Sequence, residues 1–312
     1  MGKIMIIGAQ GQLGRSIHDL TVGSDKYIFA DLDTTPIGET DVIRYDITDT
    51  TDEQFRILDE YNVDTVINCA AYTNVNGCSS DYPSRLLSYK VNVTGVLRLQ
   101  AACQRNDASL MHISSDYVFG GDKNTPYNEG DEKKPLNDYG LQKSMAEDLL
   151  IENDRGYGKT AIIRTSWLYS KYGKNFVKTM MEKLSGTDPI NVVCDQVGTP
   201  TYAVDLASAI TIIVERDGIK GGLYHYSNEG VASWYDFAQA VREFMPSRRN
   251  IFPSQTEDTV GTVKRPSYSV LSKEKIKETF NLDIPYWRES LRKCVMEIKG
   301  DAEQLKDISS DC

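Results

Sequence analysis

The sequence has little histidine, no excess of positive charge and no long apolar run. Its 312 residues include three histidines without a cluster of other ligands, so no structural metal is expected. The formal net charge of -10 disfavours a nucleic-acid or anionic-membrane partner, because both require a basic surface. No apolar run approaches the length of a membrane span. An anionic substrate would therefore have to be held by locally placed cations.

The cysteines and the N-terminus favour a cytoplasmic protein. The 6 cysteines show no Cys-x-x-Cys spacing, and Cys69 and Cys103 lie in apolar contexts. This pattern indicates reduced, mostly buried thiols. The first residues are apolar but lead directly into Gly8, which predicts a first strand rather than a signal peptide.

A glycine-rich loop follows that first strand. The β-branched run at residues 3–7 precedes glycines at positions 8, 11 and 14. Such glycines allow a tight turn, close approach to a pyrophosphate and close packing of the next helix. The free N–H groups and positive dipole end of that helix would face the phosphates. An ordinary strand, turn and helix is the alternative. The candidate cofactor-binding residues here are Gly8, Gln10, Gly11, Gln12, Leu13 and Gly14.

A second motif combines Ser115 with Tyr139 and Lys143. The tyrosine and lysine are four residues apart, so on a helix they share one face. An ammonium close to a phenol favours the phenolate and lowers the pKa of the tyrosine. Such a tyrosine can exchange a proton with a substrate oxygen near neutral pH, and the serine hydroxyl can hydrogen-bond the same oxygen. Alone the spacing recurs by chance, but together with the glycine loop it is a strong signal.

Strands and helices alternate through the first half of the chain. Strands are predicted at residues 3–7, 27–30, 42–45, 65–68, 110–113 and 161–164, with helices that include residues 89–105 and 143–152. This order predicts an α/β fold with a Rossmann-type doubly wound parallel sheet. Ligands of such sheets bind beyond the carboxyl ends of the strands. The residues at those ends are Gly8, Asp31, Asp46, Asn68 and Ser115.

The alternation breaks up after Arg164. Helices are predicted at residues 176–184, 204–215, 234–244 and 273–280, and a short strand at residues 190–194. We therefore expect a NAD(P)-binding Rossmann domain at residues 1–166, to which segments near 191–226 return. A smaller mixed α/β substrate-binding cap is expected at residues 167–299, and a polar, frayed tail at residues 300–312.

These motifs resemble those of the extended short-chain dehydrogenase/reductases. The glycine loop, residues 68–73 (NCAAYT), residues 114–119 (SSDYVF) and the Tyr-x-x-x-Lys motif carry this resemblance. Within that superfamily the chain is most similar to the dTDP-4-dehydrorhamnose reductase family. The narrower similarity is carried by residues 164–169 (RTSWLY), 175–180, 195–201 (DQVGTPT), 222–225 and 265–271, in the order of the family.

The resemblance implies an NAD(P)H-dependent oxidoreductase that reduces the C4 keto group of dTDP-4-dehydro-L-rhamnose to give dTDP-L-rhamnose. Tyr139 would donate a proton to O4 and Ser115 would hydrogen-bond it. Lys143 would lower the pKa of Tyr139 and bind the nicotinamide ribose. Two alternatives stay open: another nucleotide-sugar reductase or epimerase of the superfamily, and a non-catalytic nucleotide-binding regulatory subunit. The complete Ser115, Tyr139 and Lys143 set favours chemistry.

Further site residues follow from the same resemblance. Trp167, Asn175 and Gln196 are candidate substrate contacts, and structural packing is the alternative role of each. Arg265 is the preferred diphosphate partner, because its fork of donors matches phosphate geometry. His225 is expected to be a core residue rather than a catalyst. The additional cofactor contacts are Asp31, Asp46, Ile47, Ala70, Ala71, Tyr72, Asn92, Tyr139 and Lys143, and the substrate contacts are Asp116, Trp167, Asn175, Gln196 and Arg265.

The sequence favours both NADH and NADPH as cofactors. Asp31 is placed to accept hydrogen bonds from the adenosine ribose, which favours NADH, and no lysine or arginine follows closely to meet a 2′-phosphate. The resemblance nevertheless implies use of NADPH.

Residues 75–80 depart from the family by losing two carboxylates. Ser16 and Val204 replace glutamates that bridge some relatives through magnesium, so a monomer or a homodimer without that bridge is expected.

Overall fold

The computed structural model describes residues 2–245, 247–257 and 263–310, with side chains as far as residue 300. The strands are β1 (Lys3–Ile7), β2 (Tyr27–Asp31), β3 (Val42–Arg44), β4 (Val63–Asn68), β5 (Ser109–Ser115), β6 (Thr160–Thr165), β7 (Leu168–Tyr169), β8 (Ile190–Val193), β9 (Val197–Gly198), β10 (Thr201–Tyr202), β11 (Gly222–His225), β12 (Ala232–Ser233) and β13 (Ile251–Ser254). The helices are α1 (Gln12–Thr21), α2 (Thr51–Glu60), α3 (Val75–Cys78), α4 (Tyr82–Tyr89), α5 (Val96–Arg105), α6 (Asp138–Asn153), α7 (Phe176–Ser185), α8 (Ala203–Ile212), α9 (Trp234–Phe244), α10 (Glu274–Phe280) and α11 (Trp287–Ser310).

Seven parallel strands form the central sheet in the order β11–β6–β5–β4–β1–β2–β3. The α/β Rossmann-type prediction is therefore confirmed. The strand order reverses beside β1, and the crevice at such a reversal is where dinucleotides bind. All the strands run the same way, so the residues that end them meet at one edge of the sheet.

Side chains of alternate residues pack into two separate cores, one on each face of the sheet. On β1, Ile4 and Ile6 pack with residues of α1 and α8, whereas Met5 and Ile7 pack with residues of α2 and α5. This follows from the two-residue period of a strand and explains why β1 is apolar throughout. Strand β6 is likewise buried at each of its six residues.

A third core lies in the second half of the chain and joins α7, α9 and α11 to short two-stranded sheets. The pairs are β10 with β7, β12 with β9, and β13 with β8. Strand β11 does not belong to this group, because it pairs with β6 as the seventh strand of the central sheet. Strand β8, predicted at residues 190–194, pairs with β13 instead of joining that sheet.

Two parts of the structure differ from the sequence predictions. The helix predicted at residues 89–105 is interrupted, because a π-helical turn at Lys90–Gly95 separates α4 from α5. Helix α11 was not predicted and extends to Ser310, across most of the segment for which a frayed tail was expected. Residues 311 and 312 lie outside the described part of the chain. In that described part, no helix combines the length and apolarity that a membrane crossing requires.

Candidate active site

Two adjoining cavities, of about 390 and 610 Å³, lie along the carboxyl edge of the sheet. Both are lined by Gly11, Cys69 and Ala71, so they form one continuous cleft. The smaller cavity contains Asp31, Asp46, Ile47, Ala70 and Tyr72. The larger contains Ser115, Asp116, Tyr139, Lys143, Trp167 and Asn175. The structure thus gathers most of the predicted cofactor residues at one end and most of the predicted substrate residues at the other.

The backbone of the glycine loop is not shielded by side chains, so a pyrophosphate could approach it closely. Gly8 has a φ of +85°, and a Cβ there would lie 2.6 Å from the backbone nitrogen of Ala70. A Cβ at Gly14 would collide with the carbonyl oxygen of Gly8, so only glycine lets α1 pack this close. Helix α1 begins at Gln12, and its N-cap Gly11 provides no side-chain cap; the first turn has no acidic residue. Its first N–H groups therefore remain available to phosphate oxygens.

Asp31 is held in place at the end of β2. Its Oδ2 accepts a hydrogen bond from the backbone N–H of Gln10 at 2.9 Å, and its Oδ1 accepts one from Asp33 at 3.3 Å. Asp46 plays a similar local part, since its Oδ1 accepts from the N–H of Thr48 at 2.8 Å and shapes the loop after β3. The carboxylate of Asp31 lines the smaller cavity, where an adenosine ribose would bind.

Arg15 is a cation near this end of the cleft that the sequence reasoning overlooked. Its Nη1 donates to Oε1 of Gln10 at 3.1 Å, and its guanidinium lies 4.9 Å from the ring centre of Tyr172. Arg15 precedes Asp31 in sequence, so it is not among the residues directly after the second strand where a partner of a 2′-phosphate is usually found. The sequence signal for such a cation was the position of Arg15, directly after the third glycine and one turn into α1.

Asn92 stabilises the loop after β4 through hydrogen bonds to its backbone. It is buried in the π-helical turn, where its Oδ1 accepts from the N–H of Tyr72 at 2.9 Å. Its Nδ2 donates to the carbonyl of Tyr72 at 3.1 Å and to Oε1 of Gln142 at 2.9 Å. Gln142 immediately precedes Lys143. One amide therefore connects the wall of the cofactor cavity to the helix that carries the tyrosine and lysine.

The predicted catalytic residues converge in the larger cavity. Ser115 ends β5, and Tyr139 and Lys143 lie on α6, whose N-cap is Asn137. The Nζ of Lys143 donates to the carbonyl of Ile113 at 2.7 Å. Burial lowers the pKa of Lys143 to about 8, and the charge of Glu147 opposes that change.

The pKa of Tyr139 differs from the sequence expectation. Burial raises it above its ordinary value, and the nearby hydroxyl of Ser115 opposes that rise. Desolvation of the phenol sets this direction, the charge of Asp116 adds to it, and the expected lowering by Lys143 is not seen. The phenol consequently keeps its proton at neutral pH, which is the state required of a proton donor.

Asp116 combines burial with an open hydrogen-bonding position. It is 2% exposed and lines the larger cavity. Burial raises its pKa to about 7, and the hydroxyls of Ser269 and Ser115 oppose the rise. Its Oδ1 accepts from Ser115 at 3.1 Å, whereas its Oδ2 makes no hydrogen bond within the described part of the chain. That oxygen is therefore a buried, unsatisfied acceptor in a residue that lines the larger cavity.

Asn175 and Trp167 also line the larger cavity. The Nδ2 of Asn175 donates to Oε1 of Gln12 at 2.9 Å and to the carbonyl of Ser170 at 2.7 Å, and its Oδ1 caps α7. Asn175 thereby ties the loop before α7 to the glycine loop. Trp167 stacks on Trp234, which also lines the cavity and was not singled out from the sequence.

The other two predicted substrate residues lie away from the cavity wall. The Nε2 of Gln196 donates to the hydroxyl of Thr256 at 3.0 Å. Arg265 is exposed and reaches the cleft through Tyr117. Burial raises the pKa of Tyr117 to about 12, Asp116 adds to the rise, and the interaction with Arg265 opposes it. The ring of Tyr117 stands edge-on to that of Tyr139, with centroids 5.9 Å apart.

His225 lies in the buried core. Its Nε2 is 3.1 Å from Nη1 of Arg164, and its Nδ1 is 3.1 Å from the carbonyl of Tyr127. Burial, and secondly the charge of Arg164, lower its pKa to about 3, so the ring stays neutral. Among the described residues, no group of three or more histidine, cysteine, aspartate and glutamate side chains is arranged to hold a metal ion.

Together, the parallel sheet, the glycine loop at its first turn and the serine, tyrosine and lysine beside it define a nicotinamide-nucleotide-dependent oxidoreductase of the short-chain dehydrogenase/reductase type. Residues 2–299 match the family described as the RmlD substrate binding domain. The chain belongs to this family.

Individual relatives agree with this assignment. The chain is 37% identical over 305 residues to a dTDP-4-dehydrorhamnose reductase of Aggregatibacter actinomycetemcomitans, a match that covers 94% of this chain and 98% of the relative. A dTDP-4-dehydrorhamnose reductase structure from Clostridium acetobutylicum is 35% identical, with a TM-score of 0.82 and coverage of 95% and 99%. Another from Bacillus anthracis, solved with NADP, is 32% identical, with a TM-score of 0.79 and coverage of 95% and 98%.

Proposed function

We propose that this protein reduces the C4 keto group of dTDP-4-dehydro-L-rhamnose to dTDP-L-rhamnose, with NADPH or NADH as the reductant. One observation carries the proposal. Ser115, Tyr139 and Lys143 converge in the larger cavity, which adjoins the cavity that fits a dinucleotide, in a chain similar to reductases of this kind over nearly its whole length.

The residues of the cleft fit a nicotinamide dinucleotide. The close backbone at Gly8 and Gly14 and the uncapped start of α1 suit its pyrophosphate, and Asp31 suits its adenosine ribose. Asp46, Ile47 and Ala70 to Tyr72 wall the adenosine end. When bound, the reduced cofactor supplies the hydride for the keto carbon.

The chain itself manages the proton and the developing charge. Tyr139 holds a proton on its phenol oxygen and donates it to O4 of the sugar. Ser115 donates a hydrogen bond to the same oxygen, which stabilises the negative charge that develops there. The ammonium of Lys143, anchored on the carbonyl of Ile113, stabilises the phenolate that remains and is placed to hold the nicotinamide ribose.

We assign the sugar nucleotide to the larger cavity. Asp116 would accept from a sugar hydroxyl, and Trp167 and Asn175 would complete the wall. Arg265 would reach the diphosphate from beside Tyr117. Gln196 would act on the substrate indirectly, through its hydrogen bond to Thr256. In this proposal residues 1–166, with β11, bind the cofactor, and the cap at residues 167–299 binds the sugar.

The proposal extends to assembly and location. Ser16 is buried with its hydroxyl bonded to the carbonyl of Gln12 at 2.8 Å, and Val204 is aliphatic, so neither supplies a carboxylate to a bridging magnesium ion. We propose a monomer or a homodimer without that bridge. A cytoplasmic location would suit the free thiols of the five described cysteines.

The test is the loss of absorbance at 340 nm when purified protein is mixed with dTDP-4-dehydro-L-rhamnose and NADPH or NADH. Wild-type protein should oxidise the cofactor. Tyr139→Phe should bind cofactor normally but lose turnover by a factor of roughly a hundred or more, the usual contribution of a general acid.

Near-normal turnover in Tyr139→Phe would refute the proton-donor assignment. If the wild type binds the cofactor but leaves this sugar unreduced, the substrate assignment fails. Related keto-sugar nucleotides would then be assayed in the same way.

A further inference from the structure

Trp167 has an unusual backbone conformation at the edge of the larger cavity. Its φ is +46°, in the left-handed region that a bulky residue adopts only when its surroundings impose it. It directly follows β6 and Ser166, at the carboxyl edge of the sheet. Strained residues of this kind concentrate at binding and catalytic sites, so the contacts that hold Trp167 there bear on function.

Two contacts hold the indole of Trp167. Its ring stacks on the ring of Trp234, with centroids 3.6 Å apart and planes 8° apart. The backbone of Gly198 packs against the same indole, since a Cβ at that glycine would lie 2.8 Å from Cε2 of Trp167. Gly198 and the residues before Trp234 belong together, because β9 and β12 pair with Ala232 opposite Gly198. One small sheet therefore delivers both contacts.

Trp234 is itself rigidly placed. It is the first residue of α9, and the N-cap Ser233 forms a capping box with Asp236. The Oγ of Ser233 accepts from the N–H of Asp236 at 3.0 Å, and the Oδ2 of Asp236 accepts from the N–H of Ser233 at 2.9 Å. The ring of Phe176 packs on Trp234 at 4.6 Å. A fixed helix start and an aromatic neighbour thus immobilise the residue against which Trp167 rests.

We propose that Trp234 is a positioning residue that holds Trp167 in the wall of the cleft where the hexose of the sugar nucleotide binds. It takes no part in hydride or proton transfer, and its effect falls on affinity for the sugar. This inference rests on the proposed function, since it assigns part of the recognition of that same substrate. The alternative is that the tryptophan pair only fills the core of the cap.

The experiment compares wild type with Trp234→Ala and Trp234→Phe. A face-to-face tryptophan pair gives an exciton couplet in the far-ultraviolet circular dichroism spectrum, which reports the stack without any assay of activity. Trp287→Phe is the matched control, because the sequence has 3 tryptophans and Trp287 lies in α11 outside the stack. The couplet should persist in Trp287→Phe and vanish in Trp234→Ala.

In Trp234→Ala the KM for the sugar nucleotide should rise roughly tenfold, the equivalent of one aromatic contact, while kcat changes less than about threefold. Affinity for NADPH should not change. Trp234→Phe should recover most of the affinity, because a phenyl ring preserves stacking. Loss of the couplet with an unchanged KM would refute the positioning role.

Two further measurements separate the possible failures. If Trp234→Ala does not fold, Gly198→Ala tests the same idea from the other side, because its methyl group would displace the indole of Trp167. Isothermal titration with dTDP-L-rhamnose measures affinity without turnover. Equal affinity of wild type and the variants that lack the stack refutes the inference, whereas absence of cofactor oxidation by the wild type refutes only the proposed substrate.

Discussion

At the scale of single residues, cofactor choice depends on opposing charges around the adenosine ribose. The carboxylate of Asp31 is held by two backbone N–H groups and faces the smaller cavity. A negative charge there accepts hydrogen bonds from ribose hydroxyls but repels a 2′-phosphate. Arg15 stands on the other side of Gln10 and is positive. This balance would allow the proposed site to accept either cofactor.

Asp31→Asn should therefore shift preference toward NADPH. The amide oxygen still accepts from Gln10, but the repulsion of the 2′-phosphate is removed, so the ratio of kcat/KM for NADPH to that for NADH should rise roughly tenfold. Steady-state rates with each cofactor measure this ratio.

Asp33→Asn is the control, because it removes the same charge from an exposed residue two positions further on. An unchanged ratio in Asp31→Asn, or an equal shift in Asp33→Asn, would show that Asp31 does not discriminate between the cofactors.

At the scale of secondary-structure elements, α6 carries both the proposed catalytic residues, Tyr139 and Lys143, and the ion pair that anchors the helix. One turn after Lys143, Glu147 forms a fully buried, two-pronged ion pair with Arg164 of β6, with contacts of 2.9 and 2.7 Å. Ser114 of β5 donates to the same carboxylate at 2.5 Å. These bonds fix α6 against the two strands that end at Ser115 and Thr165.

Glu147→Gln should destabilise the protein strongly. It leaves the guanidinium of Arg164 buried without a matching charge, and breaking a buried pair in this way costs about 3–5 kcal/mol. The free energy of unfolding from urea titration measures the loss.

The matched control is Glu60→Gln, which removes the same charge from an exposed pair with Arg56 on α2. It should leave the urea midpoint unchanged, since exposed ion pairs contribute little. Similar midpoints for the two variants would mean that the buried pair does not anchor α6.

The central sheet was predictable because buried parallel strands are short apolar runs whose ends carry polar residues. Helix α11 was also within reach, since Trp287, Leu291, Cys294 and Val295 are buried at helical spacing. The π-helical turn was not, because it depends on the approach of Gly95 to the carbonyl of Ile47, which is distant in sequence. The raised pKa of Tyr139 likewise depends on burial by residues that only the fold brings together.

At the scale of the whole molecule, the net negative charge of the protein disfavours the binding of an anionic substrate. The protein has a net charge of -10, and a sugar nucleotide with a diphosphate is an anion. Lys174 lines the larger cavity beside Asn175. We propose that Lys174, together with Arg265, supplies the local positive charge that an anionic substrate requires.

Lys174→Gln should raise the KM for the sugar nucleotide about threefold to tenfold at low salt and make that KM less sensitive to added salt, since the lost attraction is screened by ions. Lys26→Gln is the control, because it removes the same charge just before β2, at the opposite edge of the sheet. Steady-state kinetics over a range of salt concentrations would test this. An identical salt dependence in wild type and Lys174→Gln would contradict it.

The seventh strand of the sheet has a consequence for how this chain can be divided. Strand β11 comes from the second half of the sequence, yet it covers the edge of β6, whose six residues are all buried. A fragment that ended near residue 166 would expose that apolar edge, which is a template for aggregation. The seven-stranded sheet is therefore completed only after residue 222 has been synthesised. The strands of this sheet are interleaved along the gene with the elements of the third core, so recombination can exchange the sheet as a unit only by moving β11 with it.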